Sequence, residues 1–270
     1  MADGRIRVGI GGWNFEPWRD NFYPAGWPQA RELEYASRRL TAIEINSTYY
    51  GAQKATTFAK WRRESPDGFV FSLKAIRFAT QRRVLADGAE SIRRFIDSGI
   101  AELGDKLGPI VWQLAPTHRF DTADLAAFLD LLPAQVDGLP LRHALDVRHA
   151  SFQCPEYLAL ARQHKVATVF TESDDYPPIA EPTGDFVYTR LMRTHADEPL
   201  GCAPEVFPQL AASARAWAEG REPAGLPRIE PPAAATAPRD VFVYFISGAK
   251  ERAPHAAMAL RRALGEEVPA

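Results

Sequence analysis

Polar side chains stand late in five apolar runs of this sequence, at spacings that point them the same way. In Glu44-Ile45-Asn46-Ser47-Thr48-Tyr49-Tyr50, strand alternation puts Glu44 and Asn46 on one face and Ile43 and Ile45 on the other. Ser72 and Lys74 share a face in the next run, and Gln113 closes another. Asp146 and Arg148 share a face, as do Tyr188 and Arg190 further on. If these runs are parallel strands of one barrel, the polar groups converge inside its C-terminal mouth, where barrel enzymes build their sites. The chemistry they suit is proton transfer on an anion. Glu44 is the expected general acid or base, its pKa set by Lys74, with Asp146 or His149 as the second proton-transfer group. Lys74, Arg77, Arg148 and Arg190 would hold the anion, phosphate being the first candidate. Asn46, Gln113 and Tyr188 would orient the substrate, and Trp13 and Tyr49 are candidate aromatic contacts. The competing reading is a structural ion-pair network, with Glu44 paired to Lys74 or Arg190. It serves as well for any one residue. For the whole set, the cost of desolvating so many charges favours function.

Other chemistries find less support. Val8-Gly9-Ile10-Gly11-Gly12-Trp13-Asn14 resembles a dinucleotide loop, but the third glycine is replaced by Asn14, and Pro17 and aromatics follow where a helix should start. Its glycines therefore point to close backbone approach, to a ligand or to a neighbouring loop. The aromatics from Trp13 to Trp27 would form a small core of their own more readily than a stacking platform. No metal motif occurs among the six histidines, and only His149, with Glu44, Asp146 and Glu172, stands where a ligand would. No nucleophile elbow is present, and no recognisable motif requires a cofactor.

The elements that must position these residues are legible in the alternation of short and long patterns. Candidate strands are Ile6–Gly11, Ala42–Ile45, Phe69–Leu73, Ile110–Leu114, Arg142–Asp146, Ala167–Phe170, Phe186–Arg190 and Val241–Phe245. Candidate helices lie near Ala30–Arg39, Thr56–Arg63, Ala89–Leu103, Thr122–Leu131, Pro155–His164, Glu205–Trp217 and Pro254–Leu264. A helix between the sixth and seventh strands is only weakly signalled. Eight strands with crossovers predict an α/β fold, a single (β/α)8 TIM-like barrel spanning residues 1–270. The Pro/Ala-rich stretch 220–239 reads as a spacer before the last strand.

The residues also resemble a known family. Gly11-Gly12-Trp13 with Trp18-Arg19 and Phe22-Tyr23-Pro24, the Glu44–Tyr50 stretch, and Phe71-Ser72-Leu73-Lys74-Ala75 are similar to the YecE-like proteins (domain of unknown function family 72). So are Gly104–Pro109, Gln113-Leu114, Arg148-His149 with Phe152, and Tyr188-Thr189-Arg190-Leu191. The resemblance runs from about Ile6 to about Leu264 and implies a TIM barrel, without implying a reaction. Two places depart from the family pattern: Met192-Arg193 after strand seven, and Ile246-Ser247-Gly248 after strand eight.

Charge and composition bound the partners. Net charge is −2 and 46% of residues are hydrophobic, as in a globular protein with a large core and no overall positive field. Lys74, Arg77, Arg82, Arg83, Arg93 and Arg94 nevertheless crowd one region against Asp87 and Glu90, which keeps nucleic acid open as a partner. No run is long and apolar enough for a membrane span, and Met1–Val8 lacks the pattern of a secretion signal. Two cysteines, Cys154 and Cys202, fit idle thiols in a cytoplasmic protein. The expectation is an enzyme for a small anionic, phosphorylated or sugar-like substrate, with a nucleic-acid-binding protein and a non-catalytic ligand-binding scaffold as alternatives.

Overall fold

The computed structural model describes residues 4–269; Met1–Asp3 and Ala270 lie outside the described residues. Eight strands close into a barrel: β1 (Ile6–Gly11), β2 (Ala42–Ile45), β3 (Val70–Lys74), β4 (Leu107–Gln113), β5 (His143–Asp146), β6 (Ala167–Glu172), β7 (Phe186–Leu191) and β8 (Asp240–Phe245). Each pairs in parallel with its sequence neighbour, and β8 pairs with β1 to complete the ring. Parallel neighbours require a crossover; six of the seven strand-to-strand connections contain a helix, and a seventh helix follows the last strand. These helices are α1 (Glu32–Arg39), α2 (Ala55–Glu64), α3 (Ala89–Ile96), α4 (Thr122–Asp130), α5 (Pro155–Gln163), α6 (Val206–Ala218) and α7 (Ala253–Ala263). Sequence punctuation is realised locally. The Asp121 side chain caps α4 by accepting from the Asp124 backbone N–H at 2.9 Å, and prolines open α5 and α7.

Alternation sorts side chains into two cores. Outward residues such as Ile43, Ile45, Phe71, Leu73, Trp112 and Leu145 join the helices in a shell, while Ala42, Val70, Val111, Ala144, Phe186 and Phe242 fill the barrel. Along five of the strands the inward series turns polar towards the C-terminal end: Ala42 then Glu44, Val70 then Ser72 and Lys74, Val111 then Gln113, Ala144 then Asp146, Phe186 then Tyr188 and Arg190. Burial drives the lower part of the barrel, and hydrogen bonding must hold the upper part.

Two departures from the expected elements have physical causes. The helix expected over Ala89–Leu103 stops at Ile96, and a 3-10 segment, Ile100–Lys106, follows. Gly99 at φ 102° is left-handed and breaks the repeat. No helix joins β6 to β7 among the described residues. Instead Glu181, 1% exposed, accepts hydrogen bonds from the backbone N–H groups of Ile229 and Glu230. That pins the connection to the Pro/Ala-rich stretch 220–239, which has no helix or strand and leads into β8 from the face away from the mouth. A carboxylate bound to backbone donors replaces part of what helix packing does elsewhere.

Candidate active site

The inward polar residues meet in one network. Arg190, on β7, is its hub. It reaches across the barrel to Glu44 on β2 at 2.8 Å and to Asp146 on β5 at 2.6 Å, and donates to Gln113 on β4 at 3.1 Å. Tyr188 donates its hydroxyl to the other Glu44 oxygen at 2.7 Å. Arg148, just beyond β5, adds bonds to Gln113 at 2.9 Å and Asp146 at 3.0 Å, and Thr171 reaches Asp146 at 3.4 Å. Glu44 and Asp146 are wholly inaccessible and Arg190 nearly so, so two carboxyl groups and a guanidinium lie in a region of low dielectric. Burial alone would oppose the charges of Asp146 and Arg190. For Arg190, burial is outweighed by Glu44 and Asp146, and its pKa is raised. For Asp146, burial is outweighed by Arg190 and Arg148, which hold its carboxyl below the usual carboxylate range. Lower in the barrel, Ser72 and the Tyr244 hydroxyl pair at 2.7 Å, leaving each with a partner.

Lys74 stands apart. Its ammonium, at the end of β3, has no hydrogen-bond or ion-pair partner among the described residues and lies 3.9 Å from the centre of the Tyr49 ring. Burial pushes its pKa down to about 8, and Arg190 and Arg148 add to the fall while Glu44 and Asp146 oppose it. Three cations, Lys74, Arg148 and Arg190, face two carboxylates, so one positive charge in the mouth is unbalanced. Arg148 stacks on Tyr176, its guanidinium 4.2 Å from the ring centre. Arg77 is exposed just beyond Lys74 and, with Arg148, is among the cations acting on the Tyr49 hydroxyl.

The structure thus brings together Glu44, Lys74, Gln113, Asp146, Arg148, Tyr188 and Arg190, with Tyr49 and Arg77 alongside. It does not bring the other three sequence candidates into the network. The His149 ring accepts from the Ser151 backbone N–H at 3.1 Å, capping the turn that follows β5. Trp13 packs edge-on against Trp61 with ring centres 5.1 Å apart, within the shell core. Asn46 borders a neighbouring cavity of about 340 Å³ with Gly11, Gly12, Trp13 and Lys250. Gly9 and Gly11 before it are explained by close approach to protein, and Gly12 by its φ of 75°. A Cβ on Gly9 would lie 2.0 Å from the Ala42 carbonyl oxygen, and one on Gly11 would lie 2.9 Å from Asn46. Tyr176 is the contributor that sequence reasoning missed, since it sits in the helix-free β6–β7 connection where no periodicity marks it. Among the described residues no group of three or more His, Cys, Asp or Glu is placed to hold a metal ion, and no helix is long and apolar enough to cross a membrane.

A closed eight-stranded parallel barrel with a charged network across its C-terminal mouth defines a TIM-barrel protein. Residues 7–270 match the family described as protein of unknown function DUF72, and the chain belongs to that family. The UPF0759 protein YunF of Bacillus subtilis (strain 168) is 25% identical over 157 residues, covering 56% of this chain and 54% of YunF, so the match spans about half of that relative. A DUF72 family protein of Thermotoga maritima superposes with TM-score 0.71 at 19% identity, over 97% of this chain and 100% of that one. One from Enterococcus faecalis gives 0.70 at 16% identity, over 99% and 100%. At these identities the solved structures share the fold.

Proposed function

We propose that the barrel mouth binds a small anionic molecule, a phosphate-bearing one first among them, and that Lys74 transfers a proton to or from it. The observation that supports this reading is the unpaired ammonium of Lys74 beside Arg148 and Arg77 at the C-terminal end of the barrel. An anion there would supply the missing counter-charge. It would also raise the Lys74 pKa, so binding and protonation are linked. An amine that titrates near pH 8 is suited to general acid–base work at neutral pH. Glu44, Asp146 and Arg190 pair with one another below it, through the two terminal nitrogens of Arg190. In this reading they are positioning groups that fix Arg148 and Gln113 and set the field at Lys74, and the substrate meets Lys74, Arg148, Arg77 and Tyr49.

The test is thermal unfolding of the protein with inorganic phosphate and phosphorylated sugars at pH 7. A ligand at a hundred times its Kd stabilises by about 2.7 kcal/mol, a shift of several degrees. The expected result is such a shift in the wild type and none in Lys74→Met. Equal shifts in both proteins, or none in the wild type, would overturn the proposal.

A further inference from the structure

Outside the buried network, the rim of the mouth carries an unusual surface. Among the described residues the large apolar side chains left exposed are Tyr50 (67%), Phe78 (54%) and Val84, and all stand in the loops after β2 and β3. Scattered single apolar residues would need no explanation; these are gathered on one edge. Their contacts form two runs on neighbouring strands' loops, linked by the charge of Arg77 acting on the Tyr49 hydroxyl. Tyr50 packs on Tyr49 with ring centres 5.1 Å apart, and Tyr49 carries Lys74. The Arg77 guanidinium lies 5.2 Å from the Phe78 ring centre, and the Phe78 carbonyl accepts from Arg82 at 2.9 Å. Arg82 then lines a groove of about 810 Å³ with Arg83, His118 and Arg119, extending the rim to the loop after β4.

Cations are in excess on this edge. Arg77, Arg83 and Arg119 are exposed and make no ion pair among the described residues. No acidic residue occurs between Asp67 and Asp87, although the chain as a whole has net charge −2. The groove's own carboxylates are two, Asp121 and Asp124, held by the backbones of Asp124, Leu85 and Ala86, with His118 3.8 Å from Asp124; they keep their charge and are outnumbered by Arg82, Arg83 and Arg119. Bare cations alone would suit any polyanion, and exposed rings alone many apolar partners. Interleaved, they suit a chain that offers a phosphate and a flat accessible ring at every unit. A duplex hides those rings.

We propose that the rim built by the loops after β2, β3 and β4 binds single-stranded nucleic acid, with bases stacked on Tyr50 and Phe78 and phosphates held by Arg77, Arg83 and Arg119. This does not rest on the assignment of Lys74.

Fluorescence anisotropy with labelled twelve-nucleotide dT and rU oligonucleotides tests it, with a duplex of the same length and polyglutamate as competitors. Binding of either single strand should fall with salt at a log–log slope of about −2, as three phosphate contacts on a single strand give. The double variant Tyr50→Ala/Phe78→Ala should weaken it about tenfold or more with little change in slope. Arg83→Glu/Arg119→Glu should weaken it and flatten the slope. All four side chains are on the surface, and both variants should keep the phosphate-induced thermal shift of the mouth, so the two readings can fail separately. Absence of single-strand binding at low salt, competition by polyglutamate or duplex as strong as by the single strand, or indifference to the aromatic pair would overturn the proposal.

Discussion

Replacing Lys74 by methionine should stabilise this protein at neutral pH, and by an amount that the structure sets. Methionine keeps the unbranched apolar stem against Tyr49 and removes the charge. The folded state holds the amine at about 8 against an ordinary 10.5, which corresponds to about 3 kcal/mol of differential interaction against the charged form. The lost contact between cation and ring returns about 0.5–1 kcal/mol of that. The net expectation is about 2 kcal/mol of added stability at pH 7, or roughly 4 °C in Tm for a chain of this length. Its pH dependence is the discriminating feature. Folding favours the neutral amine, so the penalty is fully present below the folded pKa of about 8. It shrinks as pH rises towards 10.5 and is absent above it. The Tm difference between variant and wild type should therefore be largest at pH 6–7 and fall steadily through pH 9–10. Taking the difference cancels every titration the two proteins share. A destabilised variant at pH 7, or a difference that does not change with pH, would refute the strained-amine account and leave Lys74 an ordinary solvated charge.

Three further outcomes follow from contacts elsewhere. Arg190→Met removes the cation from buried Glu44, leaving it the Tyr188 hydroxyl, and leaves buried Asp146 with Arg148 alone as counter-charge, so urea unfolding should show a loss of about 3–5 kcal/mol. Gly9→Ala places a methyl 2.0 Å from the Ala42 carbonyl at the β1–β2 seam and should cost about 1–3 kcal/mol or more, whereas Gly51→Ala, which meets nothing within 4 Å, should be close to neutral in the same assay. Glu181→Leu removes the acceptor for two backbone donors, and limited proteolysis should then cut within 220–239 faster than in the wild type.

Much of this arrangement was legible in the sequence because parity in a strand is rigid. Once Ile43 and Ile45 are assigned to the shell, Glu44 has one direction left, and the same logic places Lys74, Gln113, Asp146, Tyr188 and Arg190. Alternation says which face a residue is on, and it does not say how deep the residue sits. That is why Glu44 and Lys74 read alike in the sequence and differ in the fold: one accepts two hydrogen bonds and is sealed, the other is unpaired. Residues just outside the strands were harder still. His149 and Trp13 lie where a mouth residue should, yet a local turn and an aromatic contact claim them. The helix-free β6–β7 connection has no period to read, so neither Tyr176 nor the Glu181 anchor was visible.

The two places that read in the sequence as departures from the family pattern, Met192-Arg193 and Ile246-Ser247-Gly248, bear on the proposed site. Arg193 after β7 bonds the Ser173 carbonyl at 3.1 Å and pairs with Asp174 at 2.7 Å, which ties it to the β6 loop. Beyond β8, Ser247 and Gly248 both take positive φ, and a Cβ on Gly248 would lie 2.7 Å from the Met192 carbonyl oxygen and from the Thr194 hydroxyl. Thr194 in turn donates its hydroxyl towards the Ser247 and Ala249 carbonyls. The departures are therefore one structural change, since each loop is shaped to the other. They also fall on one side of the ring, because β7 stands four strands from β3, opposite Lys74 and Arg77. A change on the β6–β8 side alters the wall against which the far end of the proposed anion would rest. It leaves the unpaired ammonium, the Arg148 guanidinium and the aromatic rim where they are. If the mouth binds an anion as proposed, a difference between this chain and its relatives should accordingly appear in which anion is held rather than in whether one is.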